Sequence, residues 1–245
     1  MDPIEAASAS GDAIAGLGTH FMMDMNTYAY GGELGFEGID FYIAGRGGAL
    51  GEVPAAVVTA AFVFFEPGYV AESWARSEPV MSRRQAAEEF AGVAHRWADE
   101  HIGDDVDVAR LAELAGRLGD AASVAAAPIF AGWRTLSEPA SHRSKALAIH
   151  RINGLRELRG ALHGAAVLMQ GISPHAAVAR RTPYMLGIFG WQEPHPDKAE
   201  VRDAWDQAQA ATERAVAPIF EALSPDEREE FVALANGLQA SITGG

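Results

Sequence analysis

Cysteine is absent from the 245 residues. That excludes disulfides, thiolate zinc sites, cysteine nucleophiles and cysteine-held iron–sulfur clusters. It also fits a reducing compartment, so a cytoplasmic location is expected. Lysine occurs only as Lys145 and Lys198, and the formal net charge is −14. Proteins that hold nucleic acid gather Lys and Arg on one face, because phosphate contacts supply much of their affinity. An acidic chain repels phosphate backbones and anionic membranes at long range, so both kinds of partner are disfavoured. No apolar run reaches the roughly 18 residues of a membrane span. The longest, Ala55 to Phe65, is broken by Thr59. The opening Met1-Asp2-Pro3-Ile4-Glu5 is acidic where a secretory leader is basic, so no leader is expected.

What is present reads as helix. Asp2, Pro3 and Glu5 form a cap, a first-turn proline and a capping-box acid, and helical spacing runs on through Met25. Gly31-Gly32 ends that run. A short helix is predicted from Gly35 to Ala44, and a loop from Gly45 to Gly51, since glycine is costly inside a helix. Pro54 opens a buried helix towards Phe65. Ser82 with Gln85 caps another, Asp105 begins one that Gly119 stops, and Ala121 to Trp133 makes a further one. Pro139 to Gln170 is helical throughout. Ser173-Pro174 caps a short helix to Arg181, Pro196-Asp197 starts a long one to Leu223, and Ser224 to Glu227 caps the last. The expected class is all-α, a multi-helix bundle. A change of character at Leu136 to Pro139 suggests an N-terminal helical domain over 1–137 and a second domain over 138–245.

Two stretches carry a family resemblance. The first is Gly35-Phe36-Glu37-Gly38-Ile39-Asp40-Phe41-Tyr42-Ile43-Ala44-Gly45-Arg46, followed by Leu50-Gly51 and Val57 to Phe62. The second is Leu155-Arg156-Glu157-Leu158-Arg159-Gly160 with His163, then Gly171-Ile172-Ser173-Pro174. Together they resemble an actinobacterial group of helix-turn-helix-like proteins distantly related to MarR-type regulators. The resemblance implies a degenerate winged-helix-like C-terminal half and a homodimer. The sequence departs from that pattern between Arg181 and Pro196. About a dozen residues there, including Pro183, Gly187, Gly190 and Pro194, replace a recognition helix and basic wing. The acidic residue that the group carries after Arg-Gly is Ala161 here.

Arg156, Arg159 and His163 stand at offsets of three and four and share one helical face. Arginine offers forked donors to an anion, and histidine offers a proton or a lone pair. The alternative is that Glu157 and other acids pair with these arginines while His163 is a satisfied core residue. His20 and Asp24 stand at i and i+4, either as a structural pair or, with His163, as part of a metal or haem site. Arg46, with Tyr42 one turn earlier, is a candidate pocket residue. The nearby glycines match neither a dinucleotide fingerprint nor a P-loop. The cofactor is unknown from these residues.

Three functions remain. The first is a small-molecule-binding helical protein that has lost DNA reading, with Tyr42, Arg46, Arg156 and Arg159 on its ligand. The second is an enzyme of small-molecule metabolism, natural-product metabolism included, using His163 or His20 as acid or base in the same pocket. The third is a transcriptional regulator.

Overall fold

The computed structural model describes residues 1–244. Their order is α1 (Pro3–Met23), α2 (Met25–Glu33), α3 (Asp40–Gly48), α4 (Ala55–Phe62), α5 (Pro67–Arg76), α6 (Arg83–His101), α7 (Val108–Ala121), α8 (Pro128–Trp133), α9 (Ser144–Met169), α10 (Pro174–Arg181), α11 (Arg202–Val216) and α12 (Pro225–Thr243). Two 3₁₀ turns, Pro183–Met185 and Ala217–Ala222, complete the set. No β-strand occurs among the described residues, so the protein is all-α. Residue 245, the expected limit of the second domain, lies outside them.

Local chemistry starts most of these helices. Asp2 accepts from the amides of Ile4 and Glu5 while Glu5 reaches back, and Ser224 with Glu227 repeats the arrangement on α12. Ser82, Asp107 and Ser173 each accept one amide hydrogen at the head of α6, α7 and α10. Burial then fixes each helix in place. On α7, Leu111, Leu114, Ala115 and Leu118 form one apolar face against α9.

The longest helix, α9, is the strut of the molecule. Its 26 residues span about 39 Å at 1.5 Å per residue. It packs on α6, α7 and α8 and on α1 and α11. A single apolar core runs from Ala6 to Leu238 and includes α9 residues Leu147 to Leu158. A smaller cluster ties the end of α9 to α10 and α11 through Val167, Ala177 and Trp205. Helix α12 lies along α1, where Asn236 donates to the Ala9 carbonyl and Gln239 meets His20.

Several expected boundaries move, for physical reasons. The predicted loop Gly45–Gly51 is largely helix, because Gly45 and Gly48 let α3 press against α6. A Cβ on Gly45 would lie 2.5 Å from Phe90, and one on Gly48 would lie 2.2 Å from the Arg83 carbonyl oxygen. The first helix stops at Met23. Asp24 turns extended, and its carboxylate accepts the Asn26 amide to start α2. Helix α5 goes unanticipated; Glu66 caps it and Pro67 opens it. Pro128 starts the short α8 instead of interrupting a longer helix. The helix expected from Pro196 begins only at Arg202 and gives way to a 3₁₀ turn at Ala217, next to Pro218.

Candidate functional site

Six residues of α9 line one cavity: Arg156, Glu157, Arg159, Gly160, Ala161 and His163. Helix α1 contributes Ala15 and Thr19, α3 contributes Tyr42 and Arg46, and the end of α4 with the turn after it contributes Phe62 to Phe65. Phe189 comes from the segment after α10. The cavity is open to solvent on one side and has a volume of about 210 Å³.

Glycines on α1 make the arginine placement possible. A Cβ on Gly11 would sit 3.0 Å from the Arg159 guanidinium, and one on Gly18 would sit 2.4 Å from the Arg156 Cδ. Gly11 and Gly18 are seven apart, so the same face of α1 seats both side chains.

Glu157 organises one side of the cavity. Its side chain is 1% exposed. Arg46 forks onto it, with Nε 2.9 Å from Oε1 and Nη2 2.8 Å from Oε2. Arg156 Nη1 donates to Oε1 at 2.7 Å, and its Nε donates to Thr19 Oγ1 at 3.3 Å. Burial drives the Glu157 carboxyl upward, but the two guanidiniums more than offset that and hold it below the usual range. Burial likewise pulls Arg46 down, and Glu157 outweighs it, so Arg46 is held above its ordinary value. The Arg46 guanidinium lies 4.4 Å from the Phe62 ring centre and 5.9 Å from that of Tyr42.

Arg159 is different. It donates no hydrogen bond and closes no ion pair among the described residues. Burial lowers its affinity for protons, and Glu213 and Asp12 attract it only from beyond contact. It remains a cation. The cavity thus holds three guanidiniums against one carboxylate.

His163 sits beside it. Thr212 Oγ1 donates to the Ala208 carbonyl at 2.8 Å, so it accepts from His163 Nδ1 at 3.0 Å. The neutral ring therefore keeps its lone pair on Nε2. Burial, then Arg159 and Arg181, push His163 down to about 4.

Val63 shapes the opposite wall. Its φ of 50° and ψ of −58° are rare for a β-branched residue. The turn brings four consecutive side chains of the 62–65 stretch onto the cavity, and Val63 itself packs where Gly164 lacks a Cβ.

The structure brings together Tyr42, Arg46, Arg156, Arg159 and His163, and leaves His20 apart. His20 Nε2 lies 3.1 Å from Gln239 Oε1, and its ring stacks on Trp97 at 5.8 Å. Asp24, turned away by the break after α1, faces His101 at 3.8 Å. His20 thus does not line the cavity that His163 faces, and the described residues include no group of three or more His, Cys, Asp or Glu side chains that could hold a metal ion. Glu157, Thr19 and Phe189 escaped prediction as cavity residues. A buried carboxylate looks like a surface one in the sequence, and Phe189 arrives from a distant loop.

A second, larger hollow of about 550 Å³ adjoins the first. Thr19, Tyr42, Phe65, Arg156 and Phe189 face both.

A family profile described as a helix-turn-helix family matches residues 10–202. The chain belongs to that helix-turn-helix family. No curated protein and no solved structure matches it. Within this helix-turn-helix frame, α10 buries four residues in a row, Ala176 to Ala179. No strand follows it among the described residues. The segment after α10 folds back on the turn beyond α4 instead. The Glu66 amide donates to the Phe189 carbonyl, and Trp191 Nε1 donates to the Phe64 carbonyl, both at 2.8 Å. Among the described residues no helix is long and apolar enough to cross a membrane.

Proposed function

We propose that this helix-turn-helix family member binds a small anionic molecule in the α1–α3–α9 cavity and no longer reads DNA. Arg159 is the observation that carries this reading. A half-buried guanidinium with no partner costs stability, and an anion is the partner that relieves the cost. The segment that would supply a wing instead walls the cavity, and the net charge of −14 opposes a phosphate backbone. A MarR-like origin and a homodimer belong to the same reading. Native mass spectrometry of freshly purified protein tests it. A small anionic adduct on the wild type, absent from Arg159→Gln, is the expected result. A bare chain whose Tm carboxylates leave unchanged would sink the reading.

The second reading, a transcriptional regulator, has family membership in its favour. An electrophoretic shift with genomic DNA at low salt discriminates, and a retained complex there would favour the regulator. An enzyme using His163 as base faces an obstacle. A histidine held at about 4 is a weak proton acceptor at neutral pH.

A further inference from the structure

We infer that the ligand is an amphipathic anion, with its head on Arg159 and Arg156 and a flexible apolar body in the adjoining hollow. This rests on the anion reading above and extends it to a ligand class.

Size is the first argument. Pockets for drug-sized ligands measure about 300–1,000 Å³. The inner cavity, at about 210 Å³, suits a head group, whereas the outer hollow, at about 550 Å³, suits a body. The shared wall, with Arg156 in it, lets one molecule occupy both.

Chemistry divides along the same line. The chain has 33 acidic residues, yet no Asp, Glu or Lys lines the outer hollow. Four of the seven methionines do: Met22, Met23, Met25 and Met185. Methionine side chains rearrange around varied apolar shapes, which fits a flexible body better than a rigid one. Met25 and Tyr184 are 77% and 76% exposed, leaving apolar surface for a ligand to cover. All the cationic groups lie at the inner end or in the shared wall, so the charge sits where the head would.

Isothermal titration of the full chain with dodecanoate, dodecanol and butanoate tests the inference. Dodecanoate should bind one per chain, at least about tenfold tighter than dodecanol and at least about a hundredfold tighter than butanoate. Arg159→Gln should bring dodecanoate to the dodecanol level and leave dodecanol unchanged. Met185→Glu should weaken dodecanoate and leave the butanoate-induced shift of the His163 ring resonances intact. Gly160→Leu is a second blocking variant, because Gly160 lines the inner cavity and a Cβ there meets nothing within 4 Å. Equal affinity for butanoate and dodecanoate would overturn the apolar body while leaving the anion site standing. Equal affinity for dodecanol and dodecanoate, indifferent to Arg159→Gln, would overturn both readings, as would no binding of either carboxylate. A dimer that dodecanoate leaves intact and Met25→Glu breaks would overturn the apolar body, since the hollow would then belong to a second copy of the chain.

Discussion

Glu157 carries more than its own charge, because it is the shared counter-ion of Arg46 and Arg156. Replacing it with glutamine keeps the shape and removes the charge, leaving two guanidiniums in the cavity wall without a counter-ion. Glu157→Gln should cost about 3–5 kcal/mol, read as a lower denaturation midpoint in urea with an unchanged slope. An added carboxylate should restore part of that loss in the variant, whereas a neutral alcohol should not. At this scale the sequence placed the cations on one face and offered Glu157 as a partner in one of two readings, but gave no sign of its burial. Offsets of three and four place Arg156, Arg159 and His163 on one face whatever the tertiary fold. Nothing local distinguishes Glu157 from the acids of a solvated surface, and burial, which makes the difference, is decided by α1 and α3. The same limit applies to His20, whose partners Gln239 and Trp97 are set by packing between distant helices.

Among the elements, α9 and α3 show how differently glycine serves a helix. Gly45 and Gly48 read as loop because their helical cost is visible in the sequence, while the interhelical contact that offsets it is not. Gly160 has no such contact. It lies mid-helix with open space before it, so its loss of backbone freedom is uncompensated in the empty protein. Gly160→Leu should therefore raise the Tm by a few degrees, reflecting roughly 0.5–1 kcal/mol of helix propensity. Ligand binding should be lost in the same variant. A fall in Tm with binding retained would show that the helix face is not the cavity wall. Caps were the most legible features, since Asp2, Ser82, Ser173 and Ser224 each act within three residues of themselves. The wing region was legible only as a departure. That Phe189 and Trp191 turn back onto Phe64 and Glu66 depends on contacts more than 120 residues apart.

For the whole molecule, acid is the natural stress. Burial pushes His163 down to about 4 and depresses His95 and His150, whose rings meet at 3.0 Å in the core. Their unfolded pKa values lie near 6.5. Below that pH the unfolded chain binds more protons than the folded one, so stability falls as pH drops. The contribution is complete above about 6.5 and is lost progressively towards pH 4. The Tm should accordingly decline between pH 7 and pH 5, where most carboxylates still hold their charge. His95→Gln should flatten that decline, and a Tm independent of pH across this window would contradict the burial of the pair. The pairing of α1 with α12 also bears on how the protein is made. Thr19 and the seats at Gly11 and Gly18 lie on α1, and its neighbour α12 leaves the ribosome more than 200 residues after it. At about 5–20 residues per second, the apolar side of α1 waits on the order of ten seconds or more for that cover. A ribosome paused before Pro225 would hold a chain with most of its helices made and the α1–α3–α9 cavity still missing the neighbour that steadies its floor.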